Sequence, residues 1–421
     1  METLGVQVTS TPVEWPHHWR SVPLWTLFER VKDVGHPDEE LLSVYRDYGV
    51  IPKNSRDDNM NKTALDRNIY QLVDSGWFVV NRMKAWQGSV GISFQRGIVS
   101  GHYLCFRPRH NEDPRFLNWL LRSYPYTVEY ARMSRGVRPN QIEIDNDSLR
   151  ALSVRLPPLD EQRRIADFLD EEVPRINRVV SLRKRHLEVL HQRELAILDS
   201  SIEEYIQRFG TLPFRRYIER MDQGSSPQCD ASPADEDEWG VLKVSSIRPG
   251  EFLPNENKRL PRNVDHDEDH EVRQGDLLIC RANTPELVGA TTVVPTVRRR
   301  LLLSDKIFRV RLTGQTLPEY IATVARGSRI RSLCSISSHG ASQSMANIRF
   351  EEVKKWPIPC ADLRAQEELA SRSQRLRGET ARIAGAINHQ IELLTERKHA
   401  LITAAVTGQI DVTTARGADL S

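Results

Sequence analysis

The tripeptides Glu256-Asn257-Lys258 and Glu352-Val353-Lys354 are among those that carry the Glu-x-Lys fragment found in many nucleases. About one such tripeptide arises by chance in a chain this charged, so neither sets the expectation. In Asp265-His266-Asp267-Glu268-Asp269-His270 two histidines stand four residues apart, which on a helix would suit a metal. The run lacks a third ligand at a characteristic spacing and lies in a polar stretch, so it reads as a solvated acidic turn. There is no Gly-Lys dipeptide, which removes a phosphate loop of the Gly-Lys-Ser/Thr kind, and no Gly-x-Gly-x-x-Gly turn for a dinucleotide. A methyltransferase acting on a base amino group would hold its flipped base with Asn/Asp-Pro-Pro-Tyr/Phe, whereas the one Pro-Pro, Pro157-Pro158, is followed by Leu159. The expectation is a chain with no catalytic residue, no metal and no cofactor of its own.

Recognition chemistry is better represented. Arginine and asparagine make bidentate contacts with guanine and adenine edges in the major groove. Asn81, Arg82 and Lys84 follow the apolar run Gly76-Trp77-Phe78-Val79-Val80, and Arg281 and Asn283 follow Gly275-Asp276-Leu277-Leu278-Ile279. These five are the candidate base readers. Arg132, Arg135 and Arg138 recur at roughly helical spacing, as do Arg326, Arg329 and Arg331. With Arg96, Arg298 and Arg299 they are the candidate phosphate contacts, because a DNA-binding face needs several cations against the backbone. A net charge of +2 conceals the pattern. Between Arg82 and Arg138 ten Lys/Arg face three Asp/Glu, and between Arg273 and Arg331 eleven face four. The stretch from Asp222 to Glu271 has the opposite sign, with five basic residues against thirteen acidic.

Both sets of cations belong to a repeat. A shift of 204 residues (366 minus 162) superposes Gly136 on Gly340, Leu149 on Val353, Leu159 on Leu363, Gln162 on Gln366 and Leu190 on Leu394. Nearer the start of each copy a shift of 190 (213 minus 23) puts Pro23, Glu29 and Arg30 on Pro213, Glu219 and Arg220. The second copy therefore carries 14 extra residues (204 minus 190) in loops. The tails from Gln162 to Ile206 and from Gln366 to Val406 have helical periodicity, interrupted only by Pro174, Gly378 and Gly385. Pro174 and Gly378 are equivalent, which predicts a short helix, a break and a longer helix of about 32 residues and about 48 Å in each copy. Val179, Leu187, Leu190 and Ile197 match Ile383, Ile391, Leu394 and Leu401 as a coiled-coil seam. Val99 to Phe106 and Leu301 to Val310 read as further buried strands.

The predicted fold is α+β: two globular modules, each followed by a long helix, with the helices forming an antiparallel coiled coil of pseudo-two-fold symmetry. The modules span 16–158 and 209–361 and the helical regions 159–208 and 362–407. Residues 1–15 are expected to be disordered and 408–421 to form a flexible tail. No apolar run is long enough to cross a bilayer and the first residues lack the pattern of a signal peptide, so the expected compartment is the cytoplasm. Five scattered cysteines without a Cys-x-x-Cys pair suit reducing surroundings.

At Leu156-Pro157-Pro158-Leu159-Asp160-Glu161-Gln162-Arg163-Arg164-Ile165, where a module closes and a helix opens, the chain resembles the specificity subunits of type I restriction-modification systems. The terminal Ala405-Val406-Thr407-Gly408-Gln409-Ile410 is similar to the end of that family's second conserved helix. The second junction, Pro359-Cys360-Ala361-Asp362-Leu363-Arg364-Ala365-Gln366, keeps only the leucine and the glutamine. The resemblance implies a non-catalytic subunit whose two target-recognition domains each read one half of a split double-stranded DNA site, with the helices as spacer. It also implies two modification (methyltransferase) subunits docked on the helices, and restriction subunits that translocate and cleave. S-adenosylmethionine, ATP and Mg would belong to those partners. The competing expectations are a coiled-coil adaptor that does not bind DNA and a self-contained nuclease.

Overall fold

The strand Ser153–Leu156 ends at two prolines, which hold the backbone extended, and a helix opens at once with Asp160 and Glu161 in its first turn. There the carboxylates meet the positive end of the helix dipole. The computed structural model describes residues 14–56, 66–136, 142–337, 339–342 and 345–413. It contains two long helices, a central one over Leu159–Phe209 and a distal one over Leu363–Val406. Their 51 and 44 residues correspond to about 76 and 66 Å of axis.

Neither helix breaks where the sequence predicts. Pro174 lies inside the central helix, and Gly378 and Gly385 inside the distal one. Proline removes the bond to the carbonyl four residues earlier, a loss of roughly 3 kcal/mol. Val173 and Ile176 beside it are buried while Pro174 is exposed, and burying two such side chains contributes a comparable amount, about 1.5–3 kcal/mol each. Packing therefore carries the helix across the defect. Gly378 is exposed with open space around it, so it costs only propensity.

The chain divides into two units, Met1–Arg183 with His389–Ser421 and Lys184–Asn388. The first contains a four-stranded antiparallel sheet in the order Phe28–Val31, Tyr103–Pro108, Phe78–Asn81, Val90–Ile92. The second contains Ile218–Gln223, Ile307–Leu312, Leu277–Cys280, Thr291–Val293 in the same order and again antiparallel. In each unit a short strand leading into the module pairs antiparallel with the one leaving it, Arg20–Pro23 with Ser153–Leu156 and Thr211–Pro213 with Pro357–Pro359. The runs at Val99–Phe106 and Leu301–Val310 are each two strands, not one. A turn closed by Tyr103 N–H to the Ser100 carbonyl divides the first, and Ile307 N–H to the Ser304 carbonyl divides the second.

Both long helices contribute to both units, and within each they run antiparallel. In the first unit Ile165, Phe168, Leu169 and Val173 share a core with Ala405 and Val406, and Lys398 Nζ donates to Asn177 Oδ1 at 3.2 Å. In the second, Leu198, Ile202 and Tyr205 share a core with Leu369, and the Tyr205 hydroxyl donates to the Ala365 carbonyl at 3.0 Å. Of the seam residues, Val179, Leu187, Leu190, Ile197, Ile391, Leu394 and Leu401 are half-buried and Ile383 is exposed. The covered positions lie elsewhere on these helices, among them Leu169, Ile176, Leu198, Leu369 and Val406.

One polar contact recurs in both units. Gln162 and Gln366 are fully buried near the start of each helix. Gln162 accepts from Asp113 N–H at 3.0 Å and donates to the Pro157 carbonyl and the Glu112 carboxylate. Gln366 accepts from Leu317 N–H at 2.9 Å and from the Thr316 hydroxyl, and donates to the Ala361 and Gln315 carbonyls. Asp113 and Leu317 are the N-caps of module helices Pro114–Leu121 and Pro318–Arg326. Each amide thus ties a long helix to the N-terminus of a module helix.

Replacing Gln366 by alanine strands one N–H, one hydroxyl and two carbonyls, which should lower stability by about 2–4 kcal/mol in urea unfolding. Burial would raise the pKa of Glu112, but hydrogen bonds from Gln162 and Arg20 outweigh it and hold the carboxyl below its usual value. Its contribution is present above the unfolded pKa and lost as pH falls through the lower folded one. Glu112→Gln should therefore flatten the acid limb of the stability profile, and an unchanged limb would show that Glu112 is not coupled to folding.

Candidate nucleic-acid interface

The base-reader candidates lie at the ends of the strands Phe78–Asn81 and Leu277–Cys280, where the chain enters tight turns. Asn81 Oδ1 accepts from Met83 N–H at 3.1 Å and Lys84 N–H at 3.2 Å, so its side chain shapes the loop. Asn283 Oδ1 likewise accepts from Thr284 N–H, and its Nδ2 faces Cys280 Sγ at 3.6 Å. Arg82 pairs with Glu143 at 2.7 Å while about half-exposed. Arg281 donates to the Asp305 carbonyl. Lys84 is exposed and has no ion-pair partner among the described residues.

Folding brings a second segment to each turn. In the first unit Ser134–Arg135 pairs antiparallel with Glu143–Ile144, and Ile144 N–H donates to the Arg82 carbonyl. In the second, Met345–Asn347 lies between Ala282–Asn283 and His339–Ser342, and Ile348 N–H donates to the Arg281 carbonyl. Ile144 and Ile348 differ by the repeat shift of 204. Segments some 60 residues apart in sequence thus converge at the same place in both modules, around Arg82 with Arg135 and around Arg281 with Asn283. Asp145 fixes the exit of the first hairpin by capping the helix Asn146–Ala151, and bonds from Ser148 hold its carboxyl below the usual range.

The phosphate candidates separate into groups. Arg135 is exposed without an ion pair among the described residues, Arg132 pairs with its neighbour Glu129, and Arg138 lies outside the described residues. Arg299 is almost fully exposed, with Glu271 3.9 Å away, and Arg329 approaches Glu203 at 4.0 Å. Arg96 is held by Glu39 and Asp74. Arg298 donates to the carbonyls of Glu236, Glu238 and Arg299, and Arg331 to those of Val288 and Glu286. Arg326 is buried against Glu194 and Ser373. The hairpins escape a reading of composition because their strands are two to four residues long. The one signal for them is the shared glycine, Gly136 and Gly340.

The carboxylates of the nuclease-like tripeptides have local duties. Glu256 accepts from the Ser245 hydroxyl, which with Lys243 keeps its carboxyl deprotonated to low pH, and Glu352 accepts from Arg349 N–H at the start of its own short helix. His266 packs on Trp239 with ring centres 4.4 Å apart. Among the described residues no group of three or more His, Cys, Asp or Glu is placed to hold a metal ion, and no helix is long and apolar enough to cross a membrane.

Residues 19–177 match the family model of the type I restriction modification DNA specificity domain. The chain is similar to the type I restriction enzyme EcoEI specificity subunit of Escherichia coli, with 34% identity over 143 residues. That alignment covers 34% of this chain but only 24% of the relative. The type I restriction enzyme EcoKI specificity subunit of Escherichia coli (strain K12) is 21% identical over an alignment covering 94% of this chain and 90% of the relative. A solved chain from a study of complex assembly and conformational transition of the type I R-M system superposes with a TM-score of 0.70 at 14% identity, covering 95% of this chain and all of that one. The repeated α+β architecture with its long helices is the fold of that assembly's chain, and the chain is similar to type I restriction-modification specificity subunits, through the specificity-domain match in its first module and through the weaker similarity along nearly its whole length.

Proposed function

We propose that this chain is a type I restriction-modification specificity subunit, that each of its modules reads one half of a split, asymmetric duplex DNA site, and that the long helices set the gap and dock two modification subunits. The target-recognition modules are 16–158 and 209–361, and the helical regions 159–208 and 362–407. What carries the reading is the recurrence of one constellation, strand exit plus hairpin, at matching positions with different side chains. One frame dressed in two ways suits two different base sequences. Arg82, Arg281 and the loops shaped by Asn81 and Asn283 serve base readout; Lys84, expected from the sequence as a base reader, stands exposed without an ion pair among the described residues and joins Arg132, Arg135, Arg299 and Arg329 against phosphates. Of the remaining phosphate candidates, Arg96, Arg298 and Arg331 hold the loops of their own modules, Arg326 is engaged by the two long helices, and Arg138 lies outside the described residues. Catalysis belongs to modification and restriction subunits, which bring S-adenosylmethionine, ATP and Mg, and the complex works in the cytoplasm.

Methylome sequencing of cells carrying this chain with its modification subunit should reveal a bipartite motif with a fixed gap. A continuous short motif would refute the reading. Exchanging residues 213–355 for another module should alter one half of that motif and leave the other intact. For the purified complex, Lys84→Ala and Arg135→Ala should each reduce the slope of log affinity against log salt by about 1, across all DNA sequences. Arg96→Ala, which removes a cation already engaged by Glu39 and Asp74, should leave the slope unchanged. An adaptor that does not bind DNA would show no salt-dependent affinity in any of the three.

A further inference from the structure

The guanidinium of Arg326 lies where four segments of the second unit meet. Arg326 ends the module helix Pro318–Arg326 and pairs with Glu194 of the central helix, both side chains only 8% exposed. Its Nη1 also donates to Ser373 Oγ of the distal helix at 3.1 Å. Arg377, on the same distal helix, donates to the Gly250 carbonyl, and a Cβ on Gly250 would come within 2.8 Å of Arg326 Cδ. A loop, a module helix and both long helices are thus closed around one charge.

Stability alone does not explain this arrangement. Desolvating two ions offsets their attraction, and apolar side chains of similar volume commonly hold such a position as well or better. A guanidinium bonded to acceptors on two different helices supplies fixed geometry instead, since sliding by an ångström would leave a buried charge without its partners, whereas an apolar contact tolerates the slide. The repeat sharpens the point. At the shift of 204 the counterparts of Arg326, Glu194 and Ser373 are Arg122, Lys398 and Leu169. Arg122 donates to the Arg46 carbonyl and Lys398 to Asn177, so this ionic cluster belongs to the second unit alone. The first unit joins module to helix through Arg115 with Asp167 and Asp170, in partly exposed positions.

We infer that Glu194, Arg326 and Ser373 form a positioning cluster that fixes the orientation of the second module on its helices, and so enforces the gap between the two half-sites. The inference rests on the two-reader function proposed above. It is tested by methylome sequencing of cells carrying the modification subunit with the wild-type chain, with Glu194→Met/Arg326→Met, with Glu194→Arg, or with Glu194→Arg/Arg326→Glu. In the wild type, methylation of sites whose gap is one base pair too long or short should lie at least about tenfold below the cognate gap. The paired methionine variant should keep its thermal midpoint and the base preferences of both halves, yet methylate off-gap sites to within about threefold of cognate ones. Glu194→Arg alone should be defective, and the charge-exchanged pair should recover wild-type strictness. Unchanged gap strictness in the methionine pair overturns the proposal, as does a failure of the charge-exchanged pair to rescue Glu194→Arg. A wild type that methylates no bipartite site overturns the function itself, and is recognisable as such before any variant is read.

Discussion

The rest of the structure depends on one buried amide used twice. A glutamine side chain offers two N–H donors and a carbonyl acceptor, and away from water each must find a partner inside the protein. Gln162 and Gln366 do so by spanning from the entry of a long helix to the N-cap of a module helix. The bond is directional, so it fixes more than proximity: it sets where a 51- or 44-residue helix leaves its module. An error in that exit would grow with distance along the rod. The departure of the second junction from the first in every other polar position, while leucine and glutamine persist, agrees with this division of labour.

Around that shared hinge point the two copies diverge in how they are fastened. Tightly held apolar cores are common to both, from Phe78 and Phe106 in one to Phe308 and Trp356 in the other. The polar fasteners differ, partly exposed acidic partners for Arg115 in the first and a buried guanidinium in the second. The extra residues of the second copy also fall unevenly. The shift is 190 at the first sheet strand and already 199 (277 minus 78) at the next interior one, so the sheet order is kept while the loops between its strands absorb the growth. A frame conserved in hydrogen-bonding order with variable loops is what independent reading surfaces require.

Much of this was legible in the residues. The strands at Phe78–Asn81 and Leu277–Cys280, the helices and the duplication all follow from local apolar pattern and from self-similarity. The break expected at Pro174 did not occur because a propensity read from one residue cannot see the burial of Val173 and Ile176 around it, and the one at Gly378 did not because a solvated glycine costs only propensity. Two apolar runs each proved to be two strands because Ser100 and Ser304 accept from the N–H three residues on and close tight turns inside the runs, which an apolar pattern alone does not mark. The site was less legible than the fold. Cations chosen by spacing divided into exposed ones, such as Lys84 and Arg135, and ones spent on carbonyls, such as Arg298 and Arg331. The fate of Arg326 was beyond local reading, since its partner Glu194 lies 132 residues away.

The core of the first unit has a consequence for how the chain comes off the ribosome. Ile165, Phe168 and Leu169 are covered by Ala405, Val406 and Val412, which are made last. Between those moments more than 200 residues are translated, and at about 5–20 residues per second a greasy stripe stays uncovered for some ten to forty seconds. The second core, by contrast, draws among the described residues on nothing beyond Leu369 and can close first. Nascent chains of this architecture are therefore finished from the inside outward, with the earliest-made module the last to be sealed.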